Sequence, residues 1–84
     1  MATPQEPVTL TPEQIGALSQ KLSHLRHDVN NHLAMITAAA ELLRFKPEMR
    51  ERLTATLSDQ PQKIMADIAK FSEEFEQLLG INRE

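Results

Sequence analysis

The sequence contains no cysteine, tryptophan or tyrosine, only two glycines, and no long uninterrupted apolar run. Without cysteine there is no disulfide and no thiolate metal site, which fits a reducing compartment. Two glycines, Gly16 and Gly80, cannot build a Gly-rich loop around nucleotide phosphates. The chain alone is therefore not expected to bind ATP. The longest apolar stretch, Leu33 to Ala40, is interrupted by Thr37 and is too short to span a bilayer. No signal-peptide pattern follows Met1, so the expected location is cytoplasmic, with no membrane segment. The net charge of −3 comes with no basic stripe, which argues against nucleic acid as a partner. At 84 residues the chain is at most one small domain, below the usual size for a self-sufficient core.

What is present points to helices. The apolar 40% of the sequence draws on Leu, Ile, Met and Ala, with Phe45, Phe71 and Phe75 as its only aromatics; most of these are good helix formers. Residues 1–10 carry Pro4 and Pro7 without periodicity and read as a flexible leader. Thr11 suits an N-cap, Pro12 the first helical position, and Gln14 completes a capping box. The first helix is predicted over about 12–44. Pro47 then disfavours helical geometry at Lys46, which places a turn at Arg44 to Lys46. The second helix is predicted over about 47–79, with Gly80 as its C-terminal cap residue and 81–84 as a tail. Pro61 removes a backbone donor inside that helix. The apolar phase of Leu57, Ile64, Phe71 and Leu78 nevertheless continues across it, which favours a kink over a break.

Ile15, Leu22, Val29, Ile36 and Leu43 recur every seven residues, and Leu18, Leu25 and Ala39 fill a second seam position. This is the heptad pattern of a bundle or coiled coil. Leu33, Met35, Ala40 and Leu42 widen the stripe beyond what one hairpin covers. The predicted fold is all-α: residues 11–80 form an antiparallel two-helix hairpin that dimerises into a four-helix bundle, so a homodimer is expected.

All three histidines fall between His24 and His32. On the heptad, His32 faces the seam and reads as a polar core residue that sets register. His27 points outward, with His24 and Asn31 beside it on the outer face. A phosphoacceptor imidazole has these needs: access for two bulky partners in turn, a neutral nitrogen for attack, and a carboxylate to hold the tautomer and accept the proton. Asp28 is placed for the last task. Asn31, one turn on, can orient water or a phosphoryl oxygen. His24, Asp28 and His32 also have spacing for a metal, but the second helix supplies no histidine to complete a set, so no metal site is expected. The His-Asp doublet also brings to mind metal-dependent phosphohydrolases of the HD type, whose further ligands on separate helices are missing.

From Leu25 to Leu43 the sequence, LRHDVNNHLAMITAAAELL, closely resembles the H-box of sensor histidine kinases. That motif has a phosphoacceptor histidine, an acidic residue directly after it, and Asn or Thr three residues beyond the acid; His27, Asp28 and Asn31 match it. The hairpin layout extends the resemblance to about 12–79. The resemblance implies a dimeric four-helix bundle, His27 as phosphorylated residue, Asp28 as general base, and Asn31 as support for dephosphorylating a response regulator. It implies as partners a receiver domain and an ATP-binding kinase domain in cis or trans, which would bring ATP and Mg²⁺; this chain holds no cofactor itself. It is expected to be a fragment of a kinase or a stand-alone phosphotransfer relay.

With the turn centred near Phe45, His27 is predicted to lie level with residues 62–65. Ala34, Thr37, Ala38 and Glu41 then form an outward strip for a receiver, with Gln62, Lys63 and Asp67 at its rim. The rival reading is a purely structural dimerisation hairpin. It accounts for the heptads equally well and leaves the spacing of His27, Asp28 and Asn31 on the outer face unexplained.

Overall fold

The structure, a computed structural model, describes residues 3–80; Met1, Ala2 and the 81–84 tail lie outside it. Two long helices dominate. Helix α1 spans Pro12–Phe45, a short 3-10 turn spans Pro47–Met49, and α2 spans Arg50–Leu79. Among the described residues there is no strand. No helix there is long and apolar enough to cross a membrane.

The start of α1 follows its capping chemistry. Thr11 is extended, its hydroxyl oxygen accepts from the Gln14 N–H at 3.1 Å, and its own N–H donates to Gln14 Oε1 at 2.9 Å. Two of the orphan donors at the helix start are thereby satisfied. At the other end, the Lys46 N–H donates to the Leu42 carbonyl at 2.7 Å. Lys46 then leaves helical geometry at φ −135° and ψ 71°, as a residue before proline is driven to do. Pro47 opens the 3-10 turn instead of α2 itself, so α2 begins at Arg50. Helix α2 runs unbroken past Pro61 and stops at Gly80, whose φ of +67° is the left-handed geometry that glycine adopts without strain.

The later start of α2 moves the centre of the hairpin. Lys21 pairs with Glu74, and His32 lies between Gln60 and Asp67. These contacts centre the hairpin between Pro47 and Glu48, not at Phe45. His27 is consequently level with Ile68, beyond the predicted 62–65, while Gln62 and Lys63 lie level with His32 and Leu33. The extra 3-10 turn is the physical cause of the shift.

The seam between the helices is thin. Only Ala39, Leu53 and Gln60 are buried among the described residues. Leu18, Leu25, Val29, His32, Ile36 and Leu43 on α1 are half-buried, as are Leu57, Ile64, Phe71, Phe75 and Leu78 on α2. Phe71 and Phe75 stack in a tilted pair with ring centroids 6.0 Å apart. Ile15 and Leu22, expected in the seam, are instead 53% and 44% exposed in the single chain. The α-helical repeat explains why. A strict seven-residue row drifts by about 20° per heptad around a straight helix. The row from Leu43 back to Ile15 therefore slides progressively out of the seam, while the row of Leu18, Leu25, His32 and Ala39 drifts equally but crosses the middle of the seam and so stays within it.

The hairpin consequently has two unlike flanks. Ile15, Leu22 and Leu33 are rotated off the seam in one sense on α1, as Ile68 and Met65 are on α2. Because the helices are antiparallel, these residues share one side, and all five are exposed. Lys21, His24 and Asp28 are rotated in the other sense and face Lys70 and Glu74 across a polar cleft on the opposite side.

Candidate functional site

The site is built on the middle of α1, where an unbroken run of helical residues from Leu25 to Leu43 fixes every side chain by its phase. His27 falls almost opposite the seam. Its side chain is 74% exposed, and its Nδ1 lies 3.7 Å from Asp28 Oδ1. That separation is an ion-pair approach, too long for a hydrogen bond. With Asp28 on the Nδ1 side, the tautomer carrying its proton on Nδ1 presents a free Nε2 lone pair to solvent. No other described residue bonds to that Nε2.

Asn31 is exposed one turn further on, and His24 is exposed one turn back. Ala34, Thr37, Ala38 and Glu41 continue along the exposed outer surface toward the turn. The Thr37 hydroxyl donates back to the Leu33 carbonyl at 3.0 Å, which occupies its only proton. Gln62 and Lys63 are exposed on α2. Asp67 is not a free rim residue, because its carboxylate is bonded to His32.

His32 is held on both sides. Its Nδ1 lies 2.6 Å from Gln60 Oε1 and its Nε2 lies 3.1 Å from Asp67 Oδ2. A neutral imidazole has one N–H and donates to one of these oxygens; rotation of the Gln60 amide lets its NH₂ donate to the remaining nitrogen. Gln60 is only 4% exposed, so the ring of His32 is what satisfies its side chain. No buried side-chain polar atom among the described residues lacks a partner. The histidine was legible from its seam position; Gln60 was not anticipated. The signal that would have found it is a lone amide in the inward row of Leu53, Leu57 and Ile64.

The cleft on the polar flank is lined by Lys21, His24, Leu25, Asp28, Asp67, Lys70, Phe71 and Glu74, with a volume of about 340 Å³. Lys21 donates to Glu74 across it. That hydrogen bond holds the Glu74 carboxyl below its usual range against the opposing effect of desolvation, and the positive charges of Lys21 and Lys70 act in the same sense as the bond. His24, Asp28 and His32 do not converge on one point. Among the described residues, no three histidine or acidic ligands are grouped to hold a metal ion.

Chemically, the arrangement offers one solvent-facing nucleophilic nitrogen, a carboxylate beside the other nitrogen of the same ring, and an exposed amide one turn away. Comparison with known proteins finds no matching protein family, no matching curated protein and no matching solved structure.

Proposed function

We propose that the chain is the dimerisation and phosphoacceptor module of a two-component phosphotransfer system, carrying phosphate on His27. The observation that carries this reading is the exposed His27 ring, with Asp28 at 3.7 Å from Nδ1 and Nε2 turned to solvent. In the proposed reaction, the Nε2 lone pair attacks the phosphorus of a donor in line with its leaving oxygen. The N–P bond forms as the P–O bond to the leaving group breaks, and Asp28 stabilises or accepts the Nδ1 proton. A receiver-domain aspartate then attacks the same phosphorus and the N–P bond breaks. Asn31 orients the phosphoryl oxygens or a hydrolytic water, and the receiver brings the Mg²⁺. Donor phosphate comes from an ATP-binding kinase domain, in cis or trans. Ala34, Thr37, Ala38 and Glu41 provide the receiver's docking strip, with Gln62 and Lys63 at its turn-proximal rim. The setting is cytoplasmic.

The same reading makes the module a homodimer, with two hairpins joined into a four-helix bundle. The single chain exposes 6736 Å² at a mass of 9.5 kDa. A compact monomer of that mass exposes about 5,000 Å². The excess, roughly 1,700 Å², exceeds the ~800 Å² per partner of a standard interface. The flank of Ile15, Leu22, Leu33 and Ile68 supplies the apolar surface, and a two-fold axis on that side leaves both copies of His27 facing outward. A purely structural hairpin would account for this flank and for nothing at His27.

The test is transfer. The chain is treated with phosphoramidate, freed of reagent, and mixed with a receiver domain and Mg²⁺. Acid-labile phosphate that leaves the wild-type chain for the receiver, and never loads onto His27→Ala, is the expected result. Equal labelling of the wild-type chain and His27→Ala would remove His27 from the reaction.

A further inference from the structure

The apolar flank of α2 is bare in its middle and covered at its end. Met65 and Ile68 are 67% and 46% exposed. Further along, Ser72 and Leu79 on the same flank are half-buried, although neither faces α1. Beside Leu79, at the last turn of α2, lies the segment before α1. Pro4, Gln5, Glu6, Pro7 and Val8 line a common crevice with Gln77, Leu78, Leu79 and Gly80. Pro4 and Leu10 are half-buried, unlike the residues between them.

We infer that residues 4–8 form an intramolecular strap that competes with a second copy of this chain for the open end of the association flank. The inference rests on the homodimer reading above. Its physical basis is steric: the last turn of α2 cannot present Leu79 to a partner hairpin while the strap lies against it. The strap also makes little that would hold it tightly. Residues 5–8 all stay exposed, Val8 at 40%, and two prolines limit the backbone donors available to bond. Weak, reversible occupation is what lets such a segment tune an equilibrium without locking it. The closed fraction of chains is unavailable for pairing, so the apparent dimer affinity is lowered by the fraction of chains that are open.

The test compares full-length chains by sedimentation equilibrium. Pro4→Ser/Val8→Ser weakens the strap without touching either helix, and circular dichroism checks that helix content is unchanged. A dimer dissociation constant about three- to tenfold lower than that of the wild-type chain is expected. A second pair of measurements uses the absence of native cysteine. Val8→Cys/Gln77→Cys, joined by a short bis-maleimide, fastens the strap and is expected to raise the dissociation constant, whereas the same variant capped singly with N-ethylmaleimide is not. If the wild-type chain dimerises but neither variant shifts the constant, or the shifts are reversed, the strap proposal is wrong and the homodimer reading stands. If all chains stay monomeric at millimolar concentration, the homodimer reading itself fails and takes the strap with it.

Discussion

His27 and His32 sit on the same rigid helix, five residues apart, in opposite chemical settings. His32 turns into the seam, where Gln60 and Asp67 hold both of its ring nitrogens. His27 turns to water, with one loosely placed carboxylate and an unoccupied Nε2. A ring bonded at both nitrogens is structural, because neither lone pair nor proton is available without breaking the seam. A ring free at one nitrogen and flanked at the other is the one available for the proposed phosphate chemistry. Helical phase alone makes the difference in setting, and the proposed chemistry falls to the histidine with fewer contacts.

The largest effect that would sharpen this contrast comes from exchanging the two roles. His27→Gln is expected to abolish phosphate loading, by more than about a hundredfold, while leaving the melting temperature unchanged, since surface changes seldom move stability by more than ~0.5 kcal/mol. His32→Ala should do the reverse. It leaves the Gln60 amide buried without its ring partner, at a cost of about 1–3 kcal/mol in denaturant titration, while His27 still loads. In the double variant His32→Leu/Gln60→Leu most of that loss should be recovered, because both polar groups are removed together.

A mid-sized effect probes the flanks instead of the histidines. Leu22→Asp puts a charge on the apolar side and is expected to weaken self-association at least tenfold by sedimentation, because the cost of burying an unpaired carboxylate falls only on the dimer. Lys21→Ala, on the polar side, should leave association unchanged. Equal effects of the two would abolish the distinction between the flanks.

The smallest effect is on pH. Glu74 has its folded-state carboxyl held below the usual range by Lys21, so its contribution to stability is present above the unfolded value and fades as pH falls through the folded one. Glu74→Gln should therefore narrow the gap in melting temperature between pH 7 and about pH 3 only slightly, since the pair is exposed and well screened.

Both ends of α1 and the C-terminal end of α2 were legible in the sequence because their signals are local; the start of α2, expected at Pro47, lies at Arg50. Thr11 with Gln14, Lys46 before Pro47, and Gly80 each act through bonds within a few residues. The outward phase of His27 and the inward phase of His32 were legible for the same reason: one continuous helix carries both. Pairing across the seam was less so. The 3-10 turn at Pro47–Met49 displaces α2 against α1 by more than a helical turn, and nothing in the seven-residue pattern encodes it. Ile15 and Leu22 were placed in the seam by that pattern, which ignores how a row of sevens drifts around a straight helix. Gln60 was hidden because an amide in an apolar row has meaning only once its partner across the seam is known.

The most direct test of the central claim is peptide-mapped phosphorylation of the intact chain by phosphoramidate, because His24 and His32 then serve as controls within one molecule. The account predicts label concentrated on His27, little on His24 despite its exposure, and none on His32. Equal labelling of His24 and His27, or no labelling of any histidine, would contradict it and leave a helical dimerisation hairpin as the better description.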